Sequence, residues 1–180
     1  EDPERADAML GHLSALLRAS IDAGDRQIAP LDEEIQLVEH YLAIQRVRFG
    51  DRLTVHLDVP EDCRLASVPH LVLQPLVENA IVHGISPRAE GGTVWITASR
   101  HAGAVVVKVE DDGVGLPPSR AAAGVGLANT RARLAAMYGD RASLDVATRP
   151  GGGVLVTLTV EDRAPSTGQA AVRLETFHES

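Results

Sequence analysis

Asp111, Asn79 and two pairs of glycines are the residues here whose types and spacing suit chemistry. Val105, Val107, Val109 and Asp111 share one parity, so in an extended strand the carboxylate points to the same side as three valines. An ionised carboxylate on an apolar face needs a partner, and none is near in sequence, which makes a ligand's donor the natural candidate. An exocyclic amine of the adenine kind would serve. Gly113 and Gly115 follow directly and lack the β-carbon that would keep a flat ring away. Gly124 and Gly126 precede Leu127 and an apolar-periodic helix, whose free N–H groups and positive dipole end suit phosphates. The two glycine pairs together describe one pocket for a base and a phosphate tail.

Asn79 and His83 lie four residues apart, on one stripe of a helix that is nearly apolar all round. A buried asparagine needs partners for its amide, and a metal ion or a phosphate shell would supply them. Two better-known phosphate motifs are excluded. A P-loop needs Gly-Lys-Ser/Thr, and Lys108, inside the valine strand, is the single lysine. A dinucleotide fingerprint needs a third glycine where Asn129 stands.

The elements that must position these groups follow from periodicity. Between Glu4 and Ile21, Ala6, Leu10, Leu13 and Leu17, flanked by Met9, Leu16 and Ile21, mark an amphipathic helix whose stripe needs the domain's own core or a second subunit. Asp32 is the expected N-cap of a second helix buried through Ile35, Val38 and Leu42 and ending near Gly50. Leu53 to Val59 alternates as a strand. Pro69 is expected in the first turn of a third helix running to Ile81, with Pro75 kinking it. Two strands flank the turn at His101-Ala102-Gly103, and the second leads into Asp111. Leu116 to Ala123 reads as a lid loop. A helix to Tyr138 capped by Gly139, then two strands joined at Pro150-Gly151-Gly152-Gly153, complete the order, and the tail from Glu161 is polar and weakly patterned.

The 180 residues suffice for one substantial core. A formal charge of -8 with no lysine/arginine block argues against nucleic acid or an anionic membrane as partner. Cys63 is the only cysteine, so no internal disulfide forms. No stretch approaches a transmembrane span, and the chain opens abruptly in a helical pattern, as a cut end does.

Leu73-Gln74-Pro75-Leu76-Val77-Glu78-Asn79-Ala80-Ile81-Val82-His83-Gly84, the Asp111–Gly115 loop and the Gly124–Leu127 turn together resemble the ATP-binding domain of LytS-type sensor histidine kinases. Tyr41-Leu42-Ala43-Ile44-Gln45, Arg48-Phe49-Gly50-Asp51-Arg52-Leu53 and Asn129-Thr130-Arg131-Ala132-Arg133-Leu134 look like further blocks of that family, so the resemblance covers residues 4 to 160. It implies an α+β, two-layer sandwich of the Bergerat type, a mixed sheet packed on helices, with an N-terminal amphipathic helical segment. By that likeness residues 1–30 end a helical dimerisation and phosphoacceptor region, 31–160 form the catalytic domain, and 161–180 are a tail. The cofactors implied are ATP and Mg²⁺. Asn79 would ligate the metal and Asp111 take the adenine amine, with Gly113 and Gly115 lining the base. Gly124, Gly126, Leu127 and His83 would border the phosphates, and Glu78 and Asn79 stand nearest the chemistry.

Asp112 departs from the family's usual asparagine, on the opposite face of the strand from Asp111. The family's Pro-His-Phe-Leu-Phe-Asn acceptor block is absent, and Gly11-His12-Leu13-Ser14 does not match it; His12 reads as a surface or packing histidine. The expectation is a kinase catalytic domain unable to label itself, homodimeric in the intact kinase. It would serve a response regulator from the cytoplasmic side of a bacterial membrane, anchored only through upstream segments. A gyrase- or mismatch-repair-type ATPase is the rival enzyme class; it uses a glutamate four residues before the magnesium asparagine, where this chain has Pro75. A nucleotide sensor or dimerisation module is the non-enzymatic alternative.

Overall fold

The computed structural model describes residues 3–22, 26–116 and 125–161. Helix α1 (Pro3–Asp22) packs on α2 (Leu31–Phe49), and the short strand β1 (Ile28–Pro30) lies between them in sequence. There follow β2 (Leu53–Asp58), the one-turn helix α3 (Glu61–Arg64), β3 (Ser67–Pro69) and α4 (Leu73–Asn79). Helix α4 runs on as a π-helical segment, Ala80–Ile85, into β4 (Gly92–His101) and β5 (Ala104–Asp111). Helix α5 (Val125–Tyr138), β6 (Ala142–Thr148) and β7 (Val154–Glu161) complete the order.

Five strands form one mixed sheet, β2-β4-β5-β7-β6, parallel only between β2 and β4. One face of it is apolar because the parities agree across the register. Val105, Val107 and Val109 pair with Val160, Leu158 and Val156, and Ile96 pairs with Val109. All are buried. Each such side chain contributes about 1.5–3 kcal/mol when buried, and a one-residue slip would turn the whole set to solvent. Ile35, Val38 and Leu42 from α2, Leu73, Leu76 and Val77 from α4, Ile81, and Leu127 and Leu134 from α5 cover this face. The result is the expected two-layer sandwich.

Several expectations shift. Pro69 closes β3 opposite Ile28 instead of opening a helix. Because α4 begins at Leu73, Pro75 sits in its first turn, where a backbone N–H would have no partner within the helix, so the proline forfeits no helical bond and no kink is required. Asp32 caps nothing: α2 starts at Leu31 with Pro30 as its N-cap, and the Asp32 carboxylate instead accepts from Gln36 and Arg64. In α1, Leu16 packs against the core while Leu10, Leu13, Leu17 and Ile21 face outward. His12 meets His40 of α2, Nδ1 to Nδ1, at 3.0 Å, as a packing histidine does. The turn at Ala102-Gly103 has both residues at positive φ, 49° and 82°, the conformation of a tight two-residue hairpin. Residues 117–124, which hold the expected lid and Gly124, and the tail from 162 lie outside the described residues.

Candidate nucleotide site

Asp111 ends β5 on the valine face and is 2% exposed, opposite buried Val94. Its carboxylate is not bare of protein partners, as the sequence suggested. The N–H of Gly113, two residues on, donates to Oδ1 at 2.9 Å, and the N–H of Val154 also donates to the carboxylate. Burial nevertheless holds the Asp111 carboxyl above the usual carboxylate range. Those two N–H donors and Arg149 pull it back down, and the charge of Asp112 adds to the rise. Asp112 is therefore not neutral to Asp111. Its own Oδ1 accepts from Thr93 N–H at 2.7 Å, its carbonyl accepts from Arg88, and so it ties the end of β5 to the start of β4.

The walls around Asp111 are main chain. A β-carbon on Gly113 would run into the backbone of Gly84, and one on Gly153 into the carbonyl of Asp111. Val114 N–H donates to Gly84 carbonyl at 3.1 Å, fastening the loop after β5 to the end of the π-helical segment. Gly115, at φ 80°, faces the backbone of Gly153. The wider helical turn explains how Gly84 arrives there: Ser86 N–H bonds to Ile81 carbonyl, five residues back, so one more residue fits in the turn than an α-helix holds. Gly84 and Gly153 were not singled out from sequence. A glycine after an apolar helix and a glycine triplet between strands both read as punctuation.

Along α4 and the π-helical segment, Pro75, Glu78, Asn79, Val82 and His83, with Gly126 and Leu127 of α5, line a cleft of about 460 Å³. Asn79 is half-buried and Glu78 and His83 are exposed, so the stripe is a cleft wall and not a core position. Among the described residues a β-carbon on Gly126 would meet nothing within 4 Å, and Gly126 borders the cleft there. The side chain of Leu127 is buried in the core, and its residue contributes to the cleft from the first turn of α5. Thus Glu78, Asn79, His83, Gly126 and Leu127 come together along the cleft, while Asp111, Gly113 and Gly115 gather around Gly84 and are not among the residues that line it.

A buried carboxylate missed from sequence holds α4 in place. Glu34 of α2, 1% exposed, accepts N–H bonds from Leu71 and Val72 at 2.6 and 2.8 Å and a longer one from Leu73 at 3.2 Å. Nδ1 of His70 lies 3.0 Å from the same carboxylate, and His70 is buried. His70 follows a proline, but in that setting it presents no nucleophile to solvent. In the sequence Glu34 is one of three acidic residues in the first turn of α2, where a carboxylate complements the helix dipole, and that local role gives no sign of the distant one.

Comparison with known proteins decides the family. Residues 66–164, more than half the chain, match the family described as histidine kinase-, DNA gyrase B-, and HSP90-like ATPase, and residues 1–53 match the family described as histidine kinase. The chain belongs to the histidine kinase-, DNA gyrase B- and HSP90-like ATPase family. It carries that family's ATP-binding domain, of the LytS type. The sensor histidine kinase YpdA of Escherichia coli is 33% identical over 96% of this chain and 32% of its own length. YesM of Bacillus subtilis is 34% identical over 86% of this chain and 27% of its own. The sensor protein LytS of Staphylococcus saprophyticus is 31% identical over 81% and 27%. The chain thus spans about a third or less of these three relatives. Among solved structures, the histidine kinase domain of the blue-light activated kinase of Erythrobacter litoralis superposes with a TM-score of 0.58 at 24% identity. It covers 90% of this chain and 76% of that one, and shares the family's fold.

Proposed function

We propose that this chain is the catalytic portion of a two-component sensor kinase, which binds ATP with Mg²⁺ and presents the γ-phosphate to a histidine outside these 180 residues. The single observation that carries the reading is the buried Asp111 carboxylate, walled by the backbone of Gly84, Gly113 and Gly153, at the C-terminal end of the helical stretch that lines the Asn79 cleft. A flat base with an exocyclic amine fits beside Asp111, and a phosphate chain reaching the first turn of α5 fits the cleft.

Asn79 would hold Mg²⁺ through its amide oxygen. Among the described residues no group of three or more His, Cys, Asp or Glu side chains is placed to hold a metal, which suits an ion bound by one or two oxygen ligands, waters and the substrate's own phosphates. Bound there, the ion would neutralise charge on the phosphate oxygens. Transfer is then mostly positioning. A nitrogen of the incoming imidazole attacks the γ-phosphorus, the bond to the β,γ-bridging oxygen breaks, and ADP leaves with the electron pair. Glu78, exposed on the cleft rim, is the carboxylate available to take a proton from that imidazole. Pro75, one turn before Asn79 on the cleft wall, offers no proton acceptor for water, which disfavours the ATPase class.

Residues 1–30 belong, in this reading, to a helical dimerisation and acceptor region, 31–160 to the catalytic domain and 161–180 to a tail. The outward Leu10, Leu13, Leu17 and Ile21 of α1 suit a second copy as partner in a homodimer. A response regulator would receive the phosphoryl group on the cytoplasmic side. No helix among the described residues is long and apolar enough to cross a membrane.

The test is incubation with γ-labelled ATP, alone and with a separately supplied acceptor helix carrying the Pro-His-Phe block. Acid-labile, base-stable label on the helix and none on this chain is expected. Rapid steady hydrolysis without the helix would favour the ATPase class instead, and failure to bind nucleotide at all would end the proposal.

A further inference from the structure

We propose that Glu34 is a positioning residue for the phosphate end of the cleft. It sets the start of α4, and thereby the place of Asn79, from the helix that packs against α1. The inference rests on the nucleotide reading of the site.

The stretch from Leu73 to Ile85 is anchored at its two ends by two buried carboxylates on different layers. At the far end Gly84 lies against Asp111 of the sheet, with Val114 N–H bonded to its carbonyl. At the near end the anchor is Glu34. A helix's first N–H groups have no partners within the helix, and α4 has no side-chain cap of its own, its N-cap being Val72. Glu34 takes their place from 37 to 39 residues earlier in the chain, both oxygens engaged. Its negative charge also faces the positive end of the α4 dipole.

The backbone at this junction is held in an unusual shape. Leu71 has φ 56°, a left-handed conformation that a leucine adopts only when its surroundings impose it. Its N–H donates to Glu34, and its carbonyl accepts from Arg133 of α5 at 3.1 Å. Helices α2 and α5 therefore grip the same residue from two sides. One of them leads back to α1, and the other carries Gly126 and Leu127 at the cleft. A shift of α2 along its axis has to move the first turn of α4, because a buried acceptor cannot release the three backbone donors of Leu71, Val72 and Leu73 without leaving them unpaired. Asn79 and Glu78 sit less than two turns further on.

The test compares two ligands in the full chain: Mg²⁺-ATP, which needs both ends of the stretch, and adenosine, which needs only the Asp111 end. Glu34→Gln keeps the size of the side chain but turns one acceptor oxygen into an N–H₂ that confronts backbone donors. Mg²⁺-ATP affinity is expected to fall about tenfold to a hundredfold, with adenosine affinity changed less than about twofold. Glu34→Asp, which keeps the charge one methylene shorter, should recover part of the loss. Equal losses for the two ligands would mean that Glu34 only supports folding, and no loss for either would mean that α4 is placed by packing; both overturn the proposal. If Glu34→Gln gives no cooperative melt, Glu34→Asp is read for the same split at smaller amplitude, and its absence there overturns the proposal. A wild-type chain that binds adenosine but gains nothing from Mg²⁺-phosphates removes the nucleotide reading itself, a failure distinct from a wild type that shows the gain and a variant that keeps it.

Discussion

A β-carbon on Gly84 would lie 2.6 Å from Oδ1 of Asp111. The residue that ends the nucleotide helix and the carboxylate that ends the valine strand are thus packed as closely as a glycine permits. Gly84→Ala is expected to displace the carboxylate, lowering stability by about 1–3 kcal/mol as overpacking does and weakening ADP binding at least about tenfold. Chemical denaturation beside calorimetry checks both. Unchanged ADP affinity in the alanine variant would detach Gly84 from the site.

The pH dependence has a definite sign. Burial, the largest cause, raises the Asp111 pKa above its unfolded value, so the folded chain binds that proton more tightly. The associated stability is fully present below the unfolded value of about 3.9 and is lost as pH rises through the raised folded value. The melting temperature of the wild type minus that of Asp111→Asn should therefore be greatest in acid and shrink toward neutral pH. Adenosine affinity should run the other way in the wild type, growing as the carboxylate ionises, and Asp111→Asn should bind about 1.5–3 kcal/mol more weakly at neutral pH. A flat affinity profile in the wild type would count against Asp111 as the acceptor.

Asn79→Ala should remove the gain in ATP affinity that Mg²⁺ confers while leaving adenosine affinity in place, since Asn79 lines the cleft and Asp111 does not. Titrating ATP at fixed and at zero magnesium measures this directly. An alanine variant with a normal magnesium response would return Asn79 to a structural role.

Leu13 and Leu17 are 46% and 57% exposed on α1. Replacing both by glutamine should change the monomer's stability by no more than about 0.5 kcal/mol per site, yet shift the chain toward monomer in sedimentation if α1 is the dimer seam. Identical sedimentation of variant and wild type would place the seam elsewhere.

The valine-strand parity and the hairpin at Ala102-Gly103 were legible because each is local: period-two alternation and a two-residue turn are written in neighbouring residues, whereas Asn79, expected in a buried stripe, stands half-buried on a cleft wall. Pro75 misled for the same reason. Its neighbours look helical, but Leu71 at φ 56° moves the helix start to Leu73, and that backbone shape comes from Glu34 and Arg133, far away in the chain. The π-helical turn, Gly84 against Asp111 and Gly153 on the Asp111 carbonyl are likewise products of tertiary contact. The Asp32 cap failed because α2 already starts at Leu31, whose N–H is taken by the carbonyl of Ala66, 35 residues on, so Asp32 lies inside the helix.

The proposed base end of the site is walled by Gly84, Gly113 and Gly153, whose contacts are main chain against main chain or against Asp111. A small inhibitor seated there would lean on main chain and on the Asp111 carboxylate, and a side chain added at any of the three glycines would strike the fold before it struck the drug. Escape substitutions would have to arise at the cleft end, where Glu78, Val82 and His83 are exposed. Inhibitors confined to the Asp111 end should accordingly select resistance more slowly than those that extend past Asn79.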